Sequence, residues 1–245
     1  MGRISGFIYG IISYLISFLA LLYAIGFVGN FIVPKSIDSG TQGPIALSII
    51  INLLLLSLFA VQHSVMARPQ FKAMWTKIVP EPVERSTYIW LTSLVLFLLY
   101  YFWMPIKDIV WDVSGTTLGT ALLILFFIGW LIVLASSFMI DHFDLFGLRQ
   151  VYLNLKQQKS NHQGFQKRFF YRFVRHPIMT GVLIGSWATP TMTYGHLLFA
   201  IVISIYIYIA VKHFEEKDLV AEIGSDYIDY QKEVGMFFPG IGKNK

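Results

Sequence analysis

Two short groups of charged residues flank a long uncharged segment near the C-terminal end of the chain. The first group is Arg175-His176-Pro177, and the second is Glu215-Glu216. Proline is well tolerated in the first turn of a helix, where its missing N–H costs nothing. Arg175 and His176 should therefore lie at a helix N-terminus, where free N–H groups and the helix dipole favour carboxylates and phosphates.

The uncharged segment between these groups is too long for one membrane-crossing helix. It runs from 177 to 211 without Asp, Glu, Lys or Arg, and as one helix would span roughly 50 Å. The hydrocarbon core of a bilayer is only ~30 Å thick. Because Pro190 supplies a break, we predict a helical hairpin with its turn at 190–194. The hairpin would bring the four charged side chains together, which suggests a polar cofactor site beside an apolar substrate.

Each group also has a plain structural interpretation. Arg175 could mark a membrane-helix start with a snorkelling side chain. Gly181 and Gly185 are four residues apart on one helix face and could serve close helix packing. Glu215 and Glu216 could form a solvated charge pair at the membrane interface. The sequence alone leaves both interpretations open.

The composition is that of an integral membrane protein. The chain is 56% hydrophobic and 13% charged, with a mean hydropathy of +0.62, whereas soluble domains carry about 25% charged residues. Four further segments are free of charge and reach the ~20 residues that a crossing needs: 7–33, 44–66, 86–106 and 116–140. We predict an all-α polytopic membrane helix bundle, with four transmembrane helices, a C-terminal helical hairpin and an interfacial tail helix, in one domain over 1–245.

The basic residues predict the orientation. Of the 19 Lys and Arg residues, Lys35 and Lys107 lie on one side of the predicted bundle and the remaining 17 on the other. Since positive residues concentrate in cytoplasmic loops, both termini should be cytoplasmic, in a bacterial inner membrane. The net charge of +5 then reflects topology, and we expect no nucleic-acid partner.

Cysteine and histidine usage limits the chemistry. The chain has no cysteine, which excludes disulfides, thiolate zinc sites and a covalent cysteine nucleophile. The six histidines show no metal-ligand spacing, so we expect no metal site.

The charged groups belong to a longer pattern that resembles a known superfamily. Arg175-His176-Pro177-x-x-x-Gly181, Glu215-Glu216-x-x-Leu219 and Gly224-x-x-Tyr227-x-x-Tyr230 resemble the C-terminal core of isoprenylcysteine carboxyl and phospholipid methyltransferases, over residues 171–239. The resemblance implies S-adenosylmethionine bound at the cytoplasmic mouth. The cofactor-binding residues that it implies are Tyr171, Arg175, His176, Pro177, Gly181, Glu215, Glu216, Tyr227 and Tyr230. Those families usually carry Tyr where this chain has Met179, which puts the shape of the pocket there in doubt.

A second resemblance covers nearly the whole chain. The segments that carry it are QHSVMARP at 62–69, PVERSTY at 82–88, HFDLFGLRQ at 142–150 and WATPTMT at 187–193. They resemble membrane-bound methanethiol S-methyltransferases, which belong to the same superfamily as NnrU-type proteins. The resemblance implies methyl transfer from S-adenosylmethionine to methanethiol, giving dimethyl sulfide and S-adenosylhomocysteine.

Three residues are the candidates for catalysis: His63, His142 and Arg175. Polar side chains at membrane depth are costly and usually face a cavity or each other. His63 could accept a thiol proton or could bond to the backbone of a neighbouring helix. Arg175 and His176 could favour the thiolate, which is the reactive form of a thiol.

Two other functions stay open at this stage. The chain could methylate a prenylated cysteine or a phospholipid headgroup, for which it would need a wide lateral opening between helices. It could instead be a non-enzymatic haem- or quinone-associated membrane protein with His63 and His142 as ligands. The expected partners are a small thiol and the lipid bilayer, and the sequence does not predict the oligomeric state.

Overall fold

The structure, a computed structural model, describes residues 2–158 and 169–243. In chain order the elements of this part are α1 (Arg3–Gly29), α2 (Ile45–Met66), α3 (Pro69–Trp75), α4 (Glu81–Phe102), β1 (Ile109–Asp112), α5 (Thr117–Ile140), α6 (His142–Leu145), α7 (Leu148–Lys156), a 3₁₀ turn (Phe169–Arg172), α8 (Pro177–Trp187), β2 (Thr191–Thr193), α9 (Tyr194–Ala210), a π-helical turn (Val211–Glu215), α10 (Glu216–Ile223) and α11 (Ser225–Glu233).

The described chain falls into two compact units. The first holds residues 2–108, 141–158 and 194–196, and the second holds 109–140, 169–193 and 197–243. The first unit therefore contains α1–α4, α6 and α7. The second contains the β-strands, α5, α8, most of α9 and the tail helices. A single functional domain over the whole chain remains a prediction.

In the first unit, α1 packs against α4 and α7 through a stripe of small residues, of which Gly10 faces Val151 of α7. The buried positions of α1 recur every three or four residues: Gly6, Gly10, Ser13, Ser17 and Ala20. Small side chains let helix backbones approach closely in a membrane, and hydroxyls can bond between helices. Ser93 on α4 donates to the Ser17 hydroxyl at 2.8 Å. The large apolar side chains of α1, such as Leu15 and Leu19, are exposed.

In the second unit, α5 packs against α8 through three glycines. A methyl group on Gly129 would lie 2.7 Å from the backbone nitrogen of Gly185 and 2.8 Å from the carbonyl oxygen of Gly181. Only glycine fits such a backbone contact. The close approach expected at Gly181 and Gly185 is therefore present, and α5 is the element that makes it.

The chain between α8 and α9 is extended. β2 pairs with β1 in an antiparallel two-stranded ribbon, with Ile109 opposite Thr193 and Asp112 opposite Thr191. The ribbon was not predicted, because the sequence at 109–112 has no alternating pattern long enough to stand out. The predicted position of the hairpin turn is confirmed, since α8 ends at Trp187 and α9 begins at Tyr194.

Four helices in the described chain are long and apolar enough to cross a membrane: α1, α2, α5 and the continuous helical run Tyr194–Ile223. The prediction of an all-α polytopic membrane bundle is thus confirmed, and the protein is a multi-pass membrane protein. Two helices, α4 and α8, differ from the prediction. α4 is of similar length but less apolar, since Glu81 and Glu84 lie in its first turn. α8 has 11 residues and a length of only ~16 Å, so the first arm of the hairpin is too short to cross alone.

The predicted interfacial tail helix is two helices. α10 and α11 meet at Gly224, whose φ of 76° is left-handed backbone that glycine adopts without strain. Leu219, Ile223 and Tyr227 pack together on the inner side of the tail. Gly224 therefore divides the tail into two helices.

Candidate functional site

A buried ion pair joins the two charged groups that flank the hairpin. Nε of Arg175 donates to Oε1 of Glu216 at 2.6 Å, and both side chains are almost fully shielded from solvent. The predicted meeting of Arg175 and Glu216 is thus confirmed. The hairpin produces it by returning the chain to the level from which α8 starts.

The rest of the Arg175 guanidinium binds the C-terminal tail. Its Nη1 donates to the carbonyl oxygens of Val234 and Gln231, the latter at 3.1 Å, and its Nη2 donates to that of Gly242 at 3.1 Å. The backbone N–H of Arg175 also donates to the carbonyl of Gly235 at 2.9 Å. Every nitrogen of this side chain therefore has a protein acceptor, and Arg175 fastens the tail to the start of α8.

His176 lies between the two carboxylates. Its Nδ1 is 3.3 Å from Oε1 of Glu215, and its Nε2 is 3.2 Å from Oε1 of Glu216. Burial alone lowers the pKa of His176, but the attraction of Glu215 and the hydrogen bonds to Glu215 and Glu216 outweigh burial and raise the pKa to about 9. His176 is therefore an imidazolium near neutral pH, with both ring nitrogens donating.

A π-helical turn at Val211–Glu215 presents the two carboxylates. It interrupts the α-helical run between α9 and α10, so the residues after it are rotated relative to those before it. Single π turns within α-helices are frequent at functional sites. Here the turn places adjacent residues, Glu215 and Glu216, on either side of one imidazole.

Two tyrosines of α11, Tyr227 and Tyr230, contact the site. The hydroxyl oxygen of Tyr227 lies 3.5 Å from Nε2 of His176, and the hydroxyl of Tyr230 donates to the carbonyl oxygen of Tyr171. Burial, reinforced by Glu216 and Glu215, raises the pKa of Tyr227. Its hydroxyl therefore stays protonated at neutral pH.

The members of this cluster differ in their access to solvent. The Glu215 side chain is 41% exposed, whereas those of Arg175, His176 and Glu216 are each 6% exposed or less. Glu215 is therefore the carboxylate of the cluster that is most accessible from solvent.

Three further residues singled out in the sequence lie on α8: Pro177, Met179 and Gly181. Pro177 is the first residue of α8 and His176 its N-terminal cap, as predicted. A methyl group on Gly181 would lie 2.5 Å from the carbonyl oxygen of Gly129, so this face of Gly181 packs against α5. Met179 is half-buried on α8, three residues after His176 and therefore on the same side of the helix.

His63 and His142 belong to the first unit. His63, on α2, has its Nδ1 2.9 Å from the hydroxyl of Tyr88 on α4, and its ring stacks on Phe59. The buried His142, on α6, has its Nε2 3.0 Å from the hydroxyl of Tyr14 on α1. Burial lowers the pKa of His142 more than the nearby Asp141 raises it. His142 is therefore neutral at neutral pH.

Known proteins resemble the chain over its whole length. It is 51% identical over 239 residues to the methanethiol S-methyltransferase of Mycobacterium tuberculosis, a match that covers 98% of both chains. It is 50% identical over 239 residues to methanethiol S-methyltransferase 2 of Bradyrhizobium diazoefficiens, covering 98% of this chain and 92% of the relative. The chain belongs to the methanethiol S-methyltransferase family. The second resemblance seen in the sequence is thus confirmed.

A weaker similarity extends beyond the methanethiol S-methyltransferases. The chain is 32% identical over 168 residues to Nurim of Rattus norvegicus, covering 65% of this chain and 63% of the relative. No protein-family model and no solved structure matches the chain.

Sequence reasoning named Tyr227 and Tyr230 but missed the other contacts that the tail makes with the site. Gln231 donates from its amide to Oε2 of Glu216 at 3.1 Å, and the Thr180 hydroxyl donates to the carbonyl oxygen of Phe237 at 2.8 Å. Backbone carbonyls carry no residue signature, so the acceptors for Arg175 could not be read from the sequence. The glycines at 235, 240 and 242 around Pro239 were the available signal, since they indicate a tight turn.

Proposed function

We propose that this protein transfers a methyl group from S-adenosylmethionine to methanethiol, giving dimethyl sulfide and S-adenosylhomocysteine. The observation that carries the proposal is its 50–51% identity, over 98% of the chain, to proteins named methanethiol S-methyltransferase. The substrate is then a small thiol, and the reaction takes place in a protein of the lipid bilayer.

The residues around His176 fit the methyl donor. A carboxylate can accept hydrogen bonds from ribose hydroxyls or from an ammonium group, and Glu215 is the half-exposed carboxylate of the cluster. We therefore assign Glu215 the direct contact with the donor. Arg175 and Glu216 hold the backbone and His176 in place, with Tyr171, Tyr227 and Tyr230 as their support. Pro177 starts α8, and Gly181 lets that helix pack against α5.

When bound, S-adenosylmethionine supplies an electrophilic methyl group on a sulfonium. The protein has to hold a thiol sulfur about 3–3.5 Å from that carbon, in line with the bond that breaks, and has to favour the thiolate. His142, which is neutral, and His63 are the two candidates for accepting the thiol proton. The chain has no cysteine, so the methyl group passes to the thiol without a cysteinyl-enzyme intermediate.

Product analysis tests the reaction directly. Purified protein in detergent, given S-adenosylmethionine and methanethiol, should release dimethyl sulfide into the headspace, where gas chromatography detects it.

The size of the thiol should affect the rate. Ethanethiol should react more slowly than methanethiol, because one added methylene changes the discrimination between two substrates by ~1–3 kcal/mol. Met179→Ala should bring the methylation rates of methanethiol and ethanethiol closer together, because the smaller side chain would leave more room for the substrate near His176. Efficient methylation of a farnesylated cysteine without dimethyl sulfide production would contradict the proposal.

Donor binding tests the role given to Glu215. Glu215→Gln keeps the size of the side chain and removes its charge, so we expect the calorimetric dissociation constant for S-adenosylmethionine to rise about tenfold or more, as for loss of a charged hydrogen bond. Glu222→Gln is the matched control, since Glu222 is an exposed residue of the neighbouring α10. An unchanged affinity in Glu215→Gln would place the donor elsewhere.

The proposed orientation has both termini in the cytoplasm of a bacterium, with the protein in the inner membrane. It rests on the predicted placement of 17 of the 19 basic residues on the side of the termini, where positive residues mark the cytoplasm. Fusions of alkaline phosphatase, which is active only outside the cytoplasm, should be inactive at the C-terminus and active when inserted beside Lys107. The opposite pattern would reverse the orientation.

A further inference from the structure

A cleft in the second unit lies next to the charged cluster of Arg175, His176, Glu215 and Glu216 but is lined by different side chains. Its volume is about 270 Å³. One wall consists of Tyr208 and Lys212, at the end of α9 and in the π-helical turn. The other wall is the tail, at 236–238 and 241–243. The mechanism proposed above assigns no role to either wall.

The charge of the cleft is positive. Lys212 and Lys243 line it, and none of its described lining residues is acidic. Nζ of Lys212 donates to the hydroxyl of Tyr208 at 2.8 Å, which is a neutral partner and leaves two ammonium hydrogens for another acceptor. An anionic group between the two lysines would supply that acceptor.

The remaining lining is apolar and faces outward. The side chains of Tyr208, Phe238 and Ile241 are 45%, 47% and 66% exposed. Exposed apolar residues beside lysines are typical of surfaces that meet the boundary between headgroups and acyl chains.

The position of the cleft along the helix agrees with such a boundary. Lys212 is the first charged residue after the uncharged segment 177–211, at the level where the spanning run Tyr194–Ile223 leaves apolar sequence. Lysines at this level attract anionic lipid headgroups. A soluble phosphate would satisfy the lysines but would leave the apolar walls uncovered.

We propose that this cleft binds an anionic phospholipid, with the phosphate between Lys212 and Lys243 and an acyl chain against Phe238 and Ile241. The lipid would hold the tail segment that supplies the carbonyl of Gly242 to Arg175. Lipid occupancy and methyl transfer involve different side chains, so failure of one proposal leaves the other standing.

Native mass spectrometry of the full-length protein in a mild detergent tests the site. Dilauroylphosphatidylglycerol is the anionic probe, dilauroylphosphatidylcholine the zwitterionic one, and inorganic phosphate the competitor. We expect the variant with Lys212→Gln and Lys243→Gln to bind the anionic lipid about 25-fold more weakly, since each basic side chain contributes about fivefold at an anionic membrane surface. The matched control carries Lys217→Gln and Lys232→Gln, which remove the same charge from exposed tail positions, and should bind within twofold of the native protein.

The outcomes separate the lipid from other ligands. Selective binding of the phosphatidylglycerol that resists millimolar phosphate, and that is lost only in the cleft variant, supports the proposal. Equal binding of both lipids, or equal weakening in the control variant, would overturn it. Displacement of the lipid by millimolar phosphate would also overturn it and would define a site for free phosphate.

Discussion

The buried ion pair between Arg175 and Glu216 is the contact on which the site in the second unit depends. Removing two charges from water costs several kcal/mol per ion, and the attraction between them compensates only when the remaining hydrogen-bonding groups are also satisfied. Three tail carbonyls satisfy Arg175, and Gln231 satisfies the second oxygen of Glu216. The tail must therefore take one particular path, and that path positions His176 and Glu215.

Glycine permits this path at two points. A methyl group on Gly235 would lie 2.1 Å from the carbonyl oxygen of Phe238, so the turn after α11 requires glycine there. Gly242 has a φ of 78° and directs its carbonyl at Arg175. The charged cluster and the glycine-rich tail are thus parts of one arrangement, in which the buried guanidinium selects the conformation that the glycines allow.

The sequence predicted the membrane class, the hairpin and the meeting of Arg175 with Glu216, because each depends on long-range features of hydropathy and charge. It did not predict that Arg175 would be fully occupied by the tail, because the acceptors are backbone carbonyls that any residue carries. It also overestimated the first arm of the hairpin, since the absence of charge at 188–193 does not distinguish the extended chain of β2 from helix. The sequence left the role of Gly181 open between cofactor binding and helix packing, and the structure places Gly129 of α5 against it.

A double-mutant cycle on Arg175 and Glu216 tests the central claim most directly. Arg175→Gln and Glu216→Gln each break the buried pair, so each should lower the free energy of unfolding of the purified protein by about 3–5 kcal/mol. The double variant buries no unpaired charge and should lose less than the sum of the single variants, with a coupling energy above about 1 kcal/mol. Additive losses, with a coupling below about 0.5 kcal/mol, would contradict the claim that this pair organises the site.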